Sequence, residues 1–85
     1  MNISKLEQRV LHVLSQGGRI AYVRNVHGKV IDVTCFSREG FVLTDCKLSV
    51  FNRLKKRGFV KSQGGKAYRI TRKGRESVRP QFDNR

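Results

Sequence analysis

Residues 46–74 read CKLSVFNRLKKRGFVKSQGGKAYRITRKG, and the fold turns on how this stretch divides. Leu48, Phe51 and Leu54 recur at helical spacing, which predicts an amphipathic helix over roughly 46–57 with those three on its buried stripe. Thr44 or Asp45 can cap its start through a side-chain oxygen. Gly58 follows at once, where a helix ends most cheaply in a left-handed glycine, and Lys55, Lys56 and Arg57 set cations at the negative end of the helix dipole. Phe59-Val60-Lys61-Ser62 and Lys66-Ala67-Tyr68-Arg69-Ile70 then read as short strands joined by Gln63-Gly64-Gly65, a hairpin. Thr71 caps a short final helix through about Val78, and Pro80 with residues 81–85 is expected to fray as a tail.

Upstream, Ser4-Lys5-Leu6-Glu7 is a capping box, in which serine and glutamate side chains each satisfy a backbone amide at the start of a helix. Leu6, Val10, Val13 and Leu14 form the expected apolar stripe, with Lys5, Arg9, His12 and Gln16 on the polar face, and Gly17-Gly18 stops the helix. From Arg19 the period changes. Residues 19–24 and 30–36 are rich in β-branched and aromatic residues and are separated by Asn25 to Lys29, which predicts a β-hairpin. In its second strand Ile31, Val33 and Cys35 share the face assigned to the core. Ser37-Arg38-Glu39-Gly40 is a turn leading through Phe41-Val42-Leu43, an apolar link, to the helix already described.

These elements fill one small domain over residues 1–79, with 80–85 as its tail. The chain has 85 residues, of which 38% are hydrophobic, enough for one core but not two. That excludes a large enzyme with a deep internal cavity. Five Phe and two Tyr with a near-average apolar content exclude a disordered basic tail. Cys35 and Cys46 lack the spacing of a zinc site and are too few for a disulfide scaffold, so they read as reduced core thiols. With no secretory n-region and h-region at the start and no long apolar run, the expected location is cytoplasmic, without a membrane partner.

No catalytic constellation stands out. His12 falls on a polar helix face and His27 in a hairpin turn, with no acid or nucleophile motif beside them, and the glycine pairs sit at element ends rather than in a phosphate-binding loop. The expectation is a protein that is not an enzyme, with no cofactor, no metal and no small-molecule substrate. Charge is the informative feature. Nineteen Lys and Arg stand against six Asp and Glu, a net charge of +13. Twelve of the basic residues lie between Lys47 and Arg79, against the single acid Glu76. Solubility is usually obtained with both signs interspersed, so this one-sided field points to a polyanion or an acidic protein face.

The order helix, glycine stop, glycine-turn hairpin and Ala67-Tyr68-Arg69-Ile70-Thr71-Arg72-Lys73-Gly74 resembles the second half of a winged-helix domain. The fold expected is therefore α+β and winged-helix-like: helix, β-hairpin, helix, β-hairpin wing, short C-terminal helix. That resemblance implies that Lys47, Asn52, Arg53, Lys56 and Arg57 face DNA from the helix, while Lys61, Gln63, Lys66 and Arg69 on the wing touch phosphates or a groove edge. Arg72 and Lys73 extend the same surface. Residues 19–36 depart from the pattern, because strands stand where the helix before a recognition helix belongs. Arg38 and Glu39 admit two readings, a fold turn into a buried linker or a partner-binding loop beside Phe41.

The whole string is also similar to a family of small bacterial proteins, the YjhX family. The likeness is carried by Glu7-Gln8-Arg9-Val10-Leu11-His12-Val13-Leu14, Gly17-Gly18-Arg19-Ile20, Cys35-Phe36-Ser37-Arg38-Glu39-Gly40, Asp45-Cys46-Lys47-Leu48-Ser49-Val50-Phe51, Tyr68-Arg69-Ile70 and Asp83-Asn84-Arg85. That resemblance implies a toxin-like protein, paired with an acetyltransferase-like antitoxin, that inhibits bacterial DNA topoisomerase I by direct binding. It supplies no catalytic residues. The alternative is a winged-helix DNA-binding protein, either a transcriptional regulator or a non-specific binder.

Overall fold

The computed structural model describes residues 3–44 and 46–78. Helix α1 (Lys5–Ser15) opens on the expected capping box: the Ser4 hydroxyl accepts from the Glu7 amide at 3.2 Å and the Glu7 carboxylate accepts from the Ser4 amide at 3.3 Å. Its buried side is Glu7, Gln8, Val10, Leu11 and Leu14. The stripe is thus turned from the expected one, with Leu6 exposed and Leu11 sealed, because α1 is covered by both later helices as well as by the second hairpin. Gly17 takes φ +100°, and a side chain at Gly18 would collide with the Phe36 and Val13 carbonyls.

Strands β1 (Arg19–Arg24) and β2 (Val30–Phe36) form the predicted antiparallel hairpin, with Ile20 opposite Cys35 and Tyr22 opposite Val33. The Asn25 side-chain oxygen accepts from the amides of His27 and Lys29 and fixes the turn. Val33 and Cys35 are buried as expected, but Ile31 is exposed and Val30 packs against the core in its place, beside the register shift at Val23 and Arg24 that breaks the alternation. After the turn at Ser37 to Gly40, the chain makes a third strand, β3 (Val42–Leu43), paired to β2 at its free edge. The apolar link is therefore an edge strand, and Phe41 and Val42 stay exposed.

Helix α2 (Leu48–Lys56) begins two residues later than its apolar spacing suggests. Lys47 occupies the cap position without a side-chain bond, Thr44 lies in the turn before it, and Asp45 falls outside the described residues. Val50, Phe51 and Leu54 are buried, with Leu48 half-buried. The helix ends in a Schellman motif, the Phe59 amide donating to Leu54 and the Gly58 amide to Lys55, each at 3.0 Å, with Gly58 at φ +76°. Strands β4 (Val60–Lys61) and β5 (Arg69–Ile70) are the second hairpin, shorter than its sequence suggests. Helix α3 (Arg72–Glu76) is capped by Thr71, whose hydroxyl accepts from Gly74 and donates to the Gly58 carbonyl. The expected tail at 80–85 lies outside the described residues.

The architecture is α+β, three helices and two antiparallel sheets around one core. Residues 19–43 carry three strands and no helix, so among the described residues α2 has no helix-turn-helix partner before it. The sheets are tied where Ile20 and Tyr68 exchange backbone hydrogen bonds at 2.9 and 2.8 Å. Tyr68 then meets Phe51 edge-on at 4.8 Å and Tyr22 at 5.2 Å. Gly74 closes the far side: a Cβ there would press into the Phe59 carbonyl and stand 2.7 Å from Ile70. Gly74→Ala is accordingly expected to cost about 1–3 kcal/mol as overpacking, read as a melting midpoint lower by several degrees; an unchanged midpoint would show that α3 does not clamp the core.

Candidate polyanion-binding face

Helix α2 presents its cations outward because its apolar residues are taken up by the core. Lys47, Asn52, Arg53, Lys55 and Lys56 are all exposed, and Lys55 leans over the Tyr68 ring at 5.8 Å. Arg57 behaves differently. Its guanidinium turns inward to the Glu7 carboxylate at 3.5 Å, where the Glu7 side chain is only 3% exposed and that of Arg57 26%. A capping carboxylate would otherwise be buried without a counter-charge, so Arg57 is held in the fold rather than offered to a ligand.

On the second hairpin, Lys61, Gln63, Lys66 and Arg69 are exposed and line one open groove of about 650 Å³, floored by Ala67 and Ile70. The loop is held from both sides: the Tyr22 hydroxyl donates to the Gly65 carbonyl and the Ser62 hydroxyl to that of Lys66. Arg72 and Lys73 lie beyond it, exposed at the start of α3. Arg72 makes a surface pair with Glu76 at 3.4 Å, and Lys73 stands 5.9 Å from the Phe59 ring. The structure thus places Lys47, Asn52, Arg53 and Lys56 on one exposed helix and Lys61, Gln63, Lys66 and Arg69 in one groove.

A second cleft, of about 640 Å³, opens at the C-terminal end of α1 and gathers Arg19, Arg38, Arg69 and Arg75 around Ser15, Gln16 and Gly17. Arg69 donates to the Gly17 carbonyl at 3.3 Å and Arg75 to that of Ser15 at 3.5 Å. Arg19 stacks on the Phe36 ring at 4.9 Å, and the Arg38 stem packs where a Gly17 side chain would go. Sequence reasoning named Arg38 and Arg69 for separate reasons and missed Arg19 and Arg75. Their only sequence signal is Gly17-Gly18, which marks a close approach without saying of what. Glu39 is exposed in the same turn as Arg38, followed by Phe41, 74% exposed.

Cys35 and Cys46 are free, buried and adjacent. A hydrogen bond from the Cys46 thiol lowers the Cys35 pKa, while the same bond and burial push Cys46 up. Among the described residues, no group of three or more His, Cys, Asp or Glu could hold a metal ion, and no helix is long and apolar enough to cross a membrane.

A family model described as "Putative toxin of bacterial toxin-antitoxin pair" matches residues 1–85. A UPF0386 protein of Ruegeria sp. (strain TM1040) is 59% identical over the full length of both chains. UPF0386 proteins of Beijerinckia indica and Caulobacter sp. (strain K31) are each 53% identical over all of this chain, covering 100% and 93% of their own lengths. No solved structure matches.

The two roles of the basic residues separate in a stability measurement. Arg57→Gln leaves the Glu7 carboxylate buried and unpaired and is expected to cost about 1–3 kcal/mol, below the full loss of a sealed pair because Arg57 is partly solvated. Lys56→Gln, one residue earlier, is expected to leave the melting midpoint unchanged. Equal midpoints for the two variants would remove the structural role assigned to Arg57.

Proposed function

This chain belongs to the YjhX toxin family, and we propose that it acts by binding bacterial DNA topoisomerase I directly and blocking it, as a stoichiometric inhibitor and not an enzyme. The observation that carries this reading is the exposed pair Phe41 and Val42, 74% and 56% exposed, on an edge strand next to the turn of Arg38 and Glu39. Protein interfaces draw their affinity from a few large side chains that become sealed, with charges around them supplying steering and register. Phe41 is such an anchor, and a net charge of +13 supplies the steering toward an acidic face of the enzyme. An acetyltransferase-like antitoxin would neutralise the protein by covering the same anchor.

A second reading, DNA binding that withholds the substrate, is favoured by the exposed Lys47 at the cap of α2 and the exposed Asn52, Arg53 and Lys56 along it. The two readings differ in their dependence on salt and on the apolar anchor. A contact set made of phosphates weakens by orders of magnitude between low and physiological salt, whereas a sealed apolar anchor does not.

Relaxation of supercoiled plasmid by topoisomerase I at physiological salt separates them. The midpoint of inhibition is expected to follow enzyme concentration when enzyme and DNA are varied in turn. Phe41→Ala is expected to raise that midpoint about tenfold, the loss of one interface anchor, with an unchanged melting curve. A midpoint that follows DNA and ignores Phe41→Ala would establish the second reading, and the absence of inhibition would end both.

A further inference from the structure

We propose that the cleft of Arg19, Arg38, Arg69 and Arg75, continued through Arg69 into the groove of Lys61 and Lys66, is a track for the phosphodiester backbone of a nucleic-acid strand. Arg69 lines both concavities, so they adjoin at that residue, with six cations between them. This path is separate from the outward face of α2.

Three observations converge on it. First, the arginines are collected by the fold and are not scattered along a surface. The antiparallel bridge of Ile20 to Tyr68 sets Arg19 beside Arg69, and the glycine at 17 lets the Arg38 stem lie against the end of α1. Secondly, the cleft has no internal counter-ion: among the described residues no carboxylate lies within ion-pair distance of any of the four, and the nearest acid along the chain from Arg75, Glu76, is paired to Arg72. Thirdly, Arg69 and Arg75 use one donor group each on the carbonyls of Gly17 and Ser15, which orients their guanidinium forks and leaves further N–H groups for a ligand. Those carbonyls, at the negative end of the α1 dipole, also reduce the mutual repulsion that would scatter four guanidinium groups.

Guanidinium forks match phosphate oxygens in bidentate geometry. A phosphodiester chain carries a charge at every repeat and can meet cations in series along a groove, which a single anion cannot. The strand can come from a single-stranded or a duplex nucleic acid, and the chemistry offered is the same. This inference does not rest on the topoisomerase reading, and its test contains no enzyme.

The test is fluorescence anisotropy of a labelled oligothymidylate of about 16 nucleotides, and of a duplex of equal length, over a salt series. The wild-type chain is expected to bind at least one of them, and whichever binds more tightly identifies the source of the strand. Arg19→Gln/Arg38→Gln, at two residues whose side chains, unlike those of Arg69 and Arg75, donate to no backbone carbonyl, is expected to weaken binding at least tenfold. It should also flatten the slope of log affinity against log salt by about 0.7 for each lost contact to a single strand. Arg38→Gln alone provides the same readout at half the slope change if the double variant melts early. Lys5→Gln/Lys29→Gln, exposed at the start of α1 and in the turn of the first hairpin, is expected to retain the wild-type slope for the strand. The proposal is overturned by any of three results: neither nucleic acid binds at low salt, Arg53→Gln/Lys56→Gln on α2 loses the strand while the cleft variants keep it, or polyglutamate of equal charge displaces the strand as well as unlabelled oligonucleotide does.

Discussion

Two backbone hydrogen bonds, between Ile20 and Tyr68, join the two sheets at the middle of the core and set the register in which the two halves of the chain pack. The first half is α1 with the three-stranded sheet; the second is α2 with the short hairpin and α3. Each hairpin alone is marginal in water, and the second has only two paired residues on each strand. Joined at Ile20 and Tyr68, they share a core in which the Tyr68 ring packs edge-on against Phe51 of α2 and Tyr22 of β1. The same register brings Arg19 and Arg69 together, so the joint that makes the fold also makes the arginine cleft.

Gathering that charge on so small a body costs self-repulsion. The fold answers locally. Among the described residues Glu7 is the one deeply buried carboxylate, and Arg57 is drawn to it from the end of α2. The exposed carbonyls at the end of α1 take Arg69 and Arg75, and the aromatic faces of Phe36, Tyr22, Tyr68 and Phe59 each lie under a cation. The remaining cations on α2 and the second hairpin point to water. Apart from the surface pair of Arg72 and Glu76, ion pairing among the described residues goes to the charge the core requires, and the cations on the outer face keep their field.

The sequence made the local signals readable. The capping box at Ser4 and Glu7, the first hairpin, the glycine that ends α2 and the Thr71 cap are each decided by residues within one turn or one loop, and each appears where its chemistry puts it. What was not legible depends on distance along the chain. Arg69 and Arg75 reach carbonyls 52 and 60 positions away, and nothing near either residue marks that destination. Arg57 looked like one more exposed cation because its partner, Glu7, sits at the other end of the sequence. Strand β3 was hidden for another reason: two residues are too few to show a period, and their pairing with Cys35 and Phe36 is made by the turn before them.

The exposure of Phe41 and Val42 follows from the same geometry. A two-residue edge strand pairs on one side only, so the core seals Leu43 in part and leaves its neighbours in water. An apolar side chain as large as Phe41 is tolerated at such an edge because the surrounding surface is cationic and keeps copies of the chain apart. On the proposed reading, a complementary, acidic partner would lift that repulsion and seal the ring in one step. Charge would then serve two ends on this surface: keeping the protein from itself, and selecting the partner against which its apolar edge is buried.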